Sequence, residues 1–101
     1  MEIFGTRQFD KWLKGLRDRQ ARARINARLR TIATAGALTG DVKAVGDGVL
    51  ELRFHLGPGY RIYVMQEGDR LPLLLIGCDK RTQSRDIAQA KSLAEEWKNE
   101  H

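Results

Sequence analysis

Leu50, Leu52, Phe54 and Leu56 alternate with Val49, Glu51, Arg53 and His55. A period of two is that of a β-strand, whose successive side chains point to opposite faces. Leu56-Gly57-Pro58-Gly59 supplies turn residues, and the alternation resumes from Tyr60 to Met65. The stretch therefore reads as a hairpin. Ile62 and Val64 extend the apolar face, while Arg61, Tyr63 and Met65 stand with Glu51, Arg53 and His55 on the other. The first face is a core surface. The second, rich in charge, is expected to be the working surface.

Elsewhere the period changes to that of a helix. Phe9, Trp12, Leu13 and Leu16 follow Thr6, a good N-cap, at amphipathic spacing, with Gly15 near the end. Asp18 caps a second helix with Ala21, Ile25, Leu29 and Ile32 on one side, Ala23 and Ala27 alongside, and Gly36 as its stop. The small alanines suit close helix contact, so residues 6–35 read as a helical hairpin. Ile3 and Phe4 suit a short edge strand ahead of it. Gly40, Gly46 and Gly48 with Asp41 and Asp47 carry turn chemistry around a brief strand at Val42–Val45.

Glu67-Gly68-Asp69 predicts another turn. Leu71 to Cys78 is a continuous apolar run, the pattern of a strand covered on both faces, with Pro72 at its start. Gly77 to Gln83 reads as a polar loop. Thr82 or Ser84 then caps a last helix with Ile87, Ala90, Leu93, Ala94 and Trp97 in its apolar stripe and Asp86 on its polar face. The expected fold is α+β, one domain over residues 1–101. Two N-terminal helices precede a curved antiparallel sheet of three or four strands, and a C-terminal helix ends the chain. The helices are expected on one face of the sheet, with the other in solvent.

Composition sharpens this. Apolar residues make up 42% of the chain, enough for one modest core. The formal charge of +5 suits an anionic partner, nucleic acid first, or serves solubility alone. Cys78 is the single cysteine, so it forms no intramolecular disulfide, and its apolar run marks it as a core residue. That usage fits a reducing compartment, and a cytoplasmic location is expected. No Cys/His metal site and no cofactor are expected from two histidines and one cysteine. MEIFGTRQFDKW has no apolar leader, and no apolar run is long enough to span a bilayer, so no membrane partner is expected.

The candidate chemistry lies on the charged face. Arg53 and Arg61 stand on neighbouring strands with His55 beside them near the turn. Two guanidiniums at that distance repel unless an anion lies between them. Their planar forks match phosphate oxygens. The plainer reading pairs Arg53 with Glu51 or a helix carboxylate. Histidine titrates near neutral pH, so His55 is either a general base or an inert surface residue. Glu51 is either a base or an ion-pair partner. Lys80 and Arg81 add positive charge at the same concavity, or form an ordinary basic turn. Arg22, Arg24, Arg28 and Arg30 surround the second helix, as a solvated face or as a salt-sensitive attraction to ribosomal or other RNA.

These residues also carry a resemblance. GDVKAVGDGVLELRFHLGPGYRIYV followed by LLLIGCDKRTQSRDIAQAK resembles the RelE/HigB/ParE toxins of bacterial toxin–antitoxin modules, and within them the phage-type addiction module killer branch. The likeness runs from TRQFDKWLKGLRD to the last helix. It implies a microbial RNase fold and metal-free, ribosome-dependent mRNA cleavage, in which a ribose 2′-OH attacks the adjacent phosphate. The matching positions are Arg53, Arg61, Lys80 and Arg81. A tyrosine that RelE uses early in the last helix falls at Ile87, and a strand lysine falls at Glu51, so the resemblance assigns no base. It implies a helix-turn-helix antitoxin as partner, with operator DNA bound only through their complex. ParE-type members share the fold and poison DNA gyrase instead. A toxin-derived binding module without catalysis is the third reading.

Overall fold

A computed structural model describes residues 3–66 and 72–100. Along the chain come β1 (Phe4–Gly5), α1 (Arg7–Gly15), α2 (Arg19–Ala35), β2 (Val42–Gly46), β3 (Val49–Phe54), β4 (Tyr60–Met65), β5 (Leu73–Asp79) and α3 (Gln83–Glu100). A single 3₁₀ turn, Lys80–Thr82, joins β5 to α3. The strands form one sheet in the order β1-β5-β4-β3-β2. β2 to β5 are the expected antiparallel meander. The short β1 adds a parallel edge, Phe4 facing Leu73 and Gly5 facing Leu74. The turn expected at Glu67-Gly68-Asp69 and the residue Leu71 lie outside the described residues.

Local chemistry sets the element ends. The Thr6 hydroxyl accepts from the Phe9 N–H at 3.1 Å and donates to the Leu75 carbonyl at 2.6 Å, so it starts α1 and fastens it to β5. Asp18 Oδ1 accepts from the Ala21 N–H at 3.1 Å to start α2. Gly36, at φ 72°, ends that helix in the left-handed conformation that glycine tolerates. Asp47 and Gly48, at φ 56° and 78°, make the two-residue turn whose twist suits a hairpin.

The sheet carries a core on each face. Leu52, Phe54, Tyr60, Ile62 and Val64 pack with Phe9 of α1 and Ala21, Ile25 and Ile32 of α2. Val49, Tyr63, Met65, Leu75 and Cys78 pack with Ala90 and Ala94 of α3. The expectation of all helices on one face is thereby corrected. The apolar stripe of α3 needs an apolar partner, and Val49, Tyr63 and Met65 supply it from the face expected to be in solvent. A helix covering both of these sets removes more apolar surface from water than an open sheet would. Ala23 and Ala27 are exposed, so no tight seam joins α1 to α2; each helix uses its stripe on the sheet instead. Asp86, expected on a polar face, is only 5% exposed. Gly77, Cys78 and Asp79 continue β5 and do not form a loop. Cys78 is buried, as expected, and burial first of all pushes its thiol up to about 12.

Two bulges set which residues meet. Gly46 faces Val49, but Ala44 faces Leu50, so one extra residue sits in β2 near Val45. Leu74 faces Val64 while Ile76 faces Tyr63, which leaves Leu75 as the extra residue of β5. Beyond that point β5 changes phase, so Gly77 lies under α1 and Cys78 under α3. Among the described residues no helix is long and apolar enough to cross a membrane.

Candidate active site

α3 covers only part of its face. Beyond the cover, Arg53 on β3 stands directly opposite Arg61 on β4. Directly opposed side chains on antiparallel strands have Cβ atoms about 5 Å apart. The tight Leu56–Gly59 turn fixes this register, closed by a Gly59 N–H bond to the Leu56 carbonyl at 3.1 Å.

The two arginines differ in their partners. Arg53 donates from Nε and Nη2 to the Asp41 carboxylate at 3.1 and 3.3 Å, and its backbone N–H reaches the Asp41 carbonyl at 2.9 Å. His55 Nε2 lies 2.6 Å from Asp41 Oδ2, with the imidazole 73% exposed. Asp41 thus serves two cations, and the plainer pairing of Arg53 with Glu51 or a helix carboxylate gives way to a loop carboxylate. Arg61 Nη1 donates to the Gly59 carbonyl at 2.8 Å, and its buried Nε has no hydrogen-bond partner. Among the described residues no carboxylate pairs with Arg61 or Lys80. The two side chains converge over Gly59. A Cβ built on that glycine would lie 3.0 Å from Arg61 Nη1 and 3.4 Å from Lys80 Cβ. Gly59, at φ 81°, combines the turn conformation with this close approach.

Arg81 has its own counter-charge. Asp79 accepts from its Nη2 at 2.8 Å and from its backbone N–H at 2.9 Å, capping the 3₁₀ turn. The Arg81 side chain is 80% exposed, so it projects from the site's edge. The loop therefore presents Lys80 as an unpaired cation and Arg81 as half of an ion pair.

Two expected assignments change here, those of Glu51 and Arg28. Glu51 is fully buried beside α3, with the hydroxyl of buried Tyr63 and the amide of Gln83 as its donors, so neither a solvent-facing base nor an ion pair describes it. Ile87, by contrast, is half-buried against the α3-side core, in the apolar stripe expected of it. Arg28 is no outward cation. Its Nη1, Nε and Nη2 donate to the carbonyls of Arg53, Thr39 and Asp41 at 2.6, 2.9 and 2.9 Å, and its guanidinium lies 4.7 Å from the Phe54 ring centre. It staples α2 to the strand that carries Arg53. Arg24 and Arg30 are exposed and Arg22 half-exposed, on a helix without an acidic residue.

Asp41 was not legible as a site residue. A plain two-residue hairpin through Asp47-Gly48 would place it opposite Phe54. The β2 bulge shifts the pairing by one and brings it to Arg53. The His55 hydrogen bond first, and the Arg53 bonds second, hold the Asp41 carboxyl below its usual range. A group depressed on folding stabilises the fold above its unfolded pKa, about 4, and loses that contribution as pH falls through the folded value. Asp41→Asn is therefore expected to melt below the wild type at neutral pH, with the gap closing as pH is taken below about 4. Paired melting curves across that range test this; a gap that does not change with pH would mean the charge of Asp41 is not what stabilises.

Comparisons with known proteins place the family and the fold. The family model described as Phage derived protein Gp49-like (DUF891) matches residues 11–98. An uncharacterized protein of Haemophilus influenzae is 45% identical over 96 residues, 95% of either chain. A chain of the RelB-RelE antitoxin-toxin complex from Methanococcus jannaschii has a similar fold, with a TM-score of 0.65 and 18% identity over 82% of this chain and 96% of that one. The expected RelE-like arrangement of helices and sheet is thus present.

Proposed function

We propose, from the premise that this chain belongs to the Gp49-like family of phage-derived proteins, that it is the toxin of a toxin–antitoxin module and cleaves mRNA on the ribosome. One observation carries the reading: Arg61 keeps a buried N–H without a partner, beside Lys80 and opposite Arg53. A donor left unbonded inside a folded protein is costly, unless a ligand completes it. A phosphodiester oxygen is the acceptor that such a cationic concavity suits.

The chemistry is an intramolecular transfer. The ribose 2′-oxygen forms a bond to phosphorus as the bond to the 5′-oxygen breaks, giving a cyclic phosphate and a 5′-hydroxyl. Arg61 and Arg53 stabilise the charge that builds on the non-bridging oxygens, and preorganised donors of this kind are usually the largest catalytic term. His55 receives the 2′-hydroxyl proton at Nδ1, because Asp41 engages Nε2. Lys80 supplies a proton to the departing 5′-oxygen, and Arg81 extends the positive rim. Arg22, Arg24 and Arg30 add long-range attraction to RNA, which weakens with salt.

The partner in this reading is a cognate antitoxin with an acidic segment that meets the +5 surface. The similar Methanococcus jannaschii chain comes from an antitoxin–toxin complex, which supports such a partner. Expression in cells followed by primer extension on their transcripts tests the activity. Cuts in codon register on translated messages are expected. Growth arrest over intact transcripts would reject cleavage, and inhibition of purified DNA gyrase would favour the ParE-type reading in its place.

A further inference from the structure

A chain of buried polar groups under the start of α3 plays no part in the cleavage chemistry. Glu51 is 0% exposed, and its Oε2 accepts from Tyr63 Oη at 3.0 Å and from Gln83 Nε2 at 2.8 Å. Its Oε1 has no partner. Cys78 Sγ reaches Tyr63 Oη at 3.8 Å. A buried carboxylate with so few donors costs folding free energy, so its presence in a core otherwise lined by Val49, Met65 and Leu75 calls for a physical role.

Its two donors come from different places. Tyr63 belongs to the sheet, and burial above all drives its hydroxyl pKa upward, which keeps it a neutral donor. Gln83 is the first residue of α3 and directly follows the 3₁₀ turn Lys80–Thr82. That turn is tied at three points. Asp79 Oδ1 accepts from the Arg81 N–H at 2.9 Å, the Thr82 hydroxyl donates to buried Asp86, and Gln83 donates to Glu51. Only the last tie reaches another strand. Glu51 also lies two residues before Arg53 on β3, on the same face.

We propose that Glu51 is a positioning residue which, through Gln83, holds the Lys80 turn in register with the Arg53–Arg61 pair. Its catalytic consequence rests on the cleavage reading; the tie itself does not. The site is assembled from two segments remote in sequence, the hairpin and the β5–α3 junction. The β4–β5 ladder fixes the chain only as far as Asp79, opposite Tyr60. Without the tie the turn beyond it would be placed by packing and by its own local bonds. A misplacement on the order of 1 Å can lower a rate about a hundredfold.

A charge swap tests this. Gln83→Glu sets two carboxylates against each other, whereas adding Glu51→Gln restores an amide–carboxylate pair with the donor now on β3. Amide hydrogen exchange at Arg81 and Thr82 reads the turn directly, and kcat and KM on ribosome-bound mRNA read the site. Gln83→Glu is expected to speed exchange at the turn and to lower kcat by about a hundredfold with little change in KM. The double variant is expected to recover most of both. If Gln83→Glu does not fold alone, the double variant regains the fold under the proposal. A double variant no better than Gln83→Glu in exchange, rate or folding overturns it, as does unchanged exchange in Gln83→Glu. A wild-type chain that cuts no ribosome-bound mRNA removes the cleavage reading, and the exchange comparison still decides the tie.

Discussion

On the cleavage reading, Arg61→Ala is expected to lower cutting of ribosome-bound mRNA by about 10²- to 10³-fold and to leave the folded state intact. The magnitude is that of removing one preorganised donor from a developing oxyanion. Arg61 is expected to matter more than Arg53 because of their partners. Arg53 is half neutralised by Asp41, whereas Arg61 has one carbonyl and an unpaired Nε. The same facts protect the fold, since truncation at Arg61 strands no carboxylate. Arg61→Lys is not expected to rescue, because an ammonium offers a point charge without the planar fork. Single-turnover cleavage beside a thermal melt checks both halves. Full activity in the alanine variant would take Arg61 out of the site.

Gly77→Ala destabilises the fold by about 3 kcal/mol, the upper range for overpacking a core. A Cβ at Gly77 would lie 2.2 Å from Trp12 Cε3 and 2.4 Å from Cδ2 and Cζ3. The cause is space, since the backbone there is ordinary strand. The indole cannot step aside cheaply. Phe9 holds it on one side with ring centres 6.1 Å apart, and Tyr60 meets it edge-on at 6.2 Å. Against a total of about 5–15 kcal/mol for a domain, such a loss is large. Urea unfolding measures it, and Trp12→Leu in the same chain should recover part of the loss. An unchanged midpoint would show that the ring moves freely off β5.

The hairpin was fully legible. Alternation on both sides of a four-residue turn leaves one sensible pairing, and it places Arg53 against Arg61. The caps at Thr6 and Asp18 and the stop at Gly36 were legible for a similar reason, as each depends on a few neighbouring atoms. The resemblance to RelE-type toxins added the role proposed for Arg81 or Lys80 to what spacing offered. Glu51 shows where this ends. Alternation assigned it correctly to the face of Arg53, yet the two residues have opposite surroundings, one sealed beneath α3 and the other open beside Asp41.

The sequence by itself determined the helices, the hairpin and the opposed arginines, because these follow from side-chain period, caps and turn geometry within short stretches. The tertiary structure alone decided that α3 lies on the charged face, that Asp41 partners Arg53 and that Gln83 reaches Glu51. A period says which side chains share a face but not what covers that face. A single inserted residue, near Val45 or at Leu75, shifts every later partner by one while leaving composition and pattern as they were.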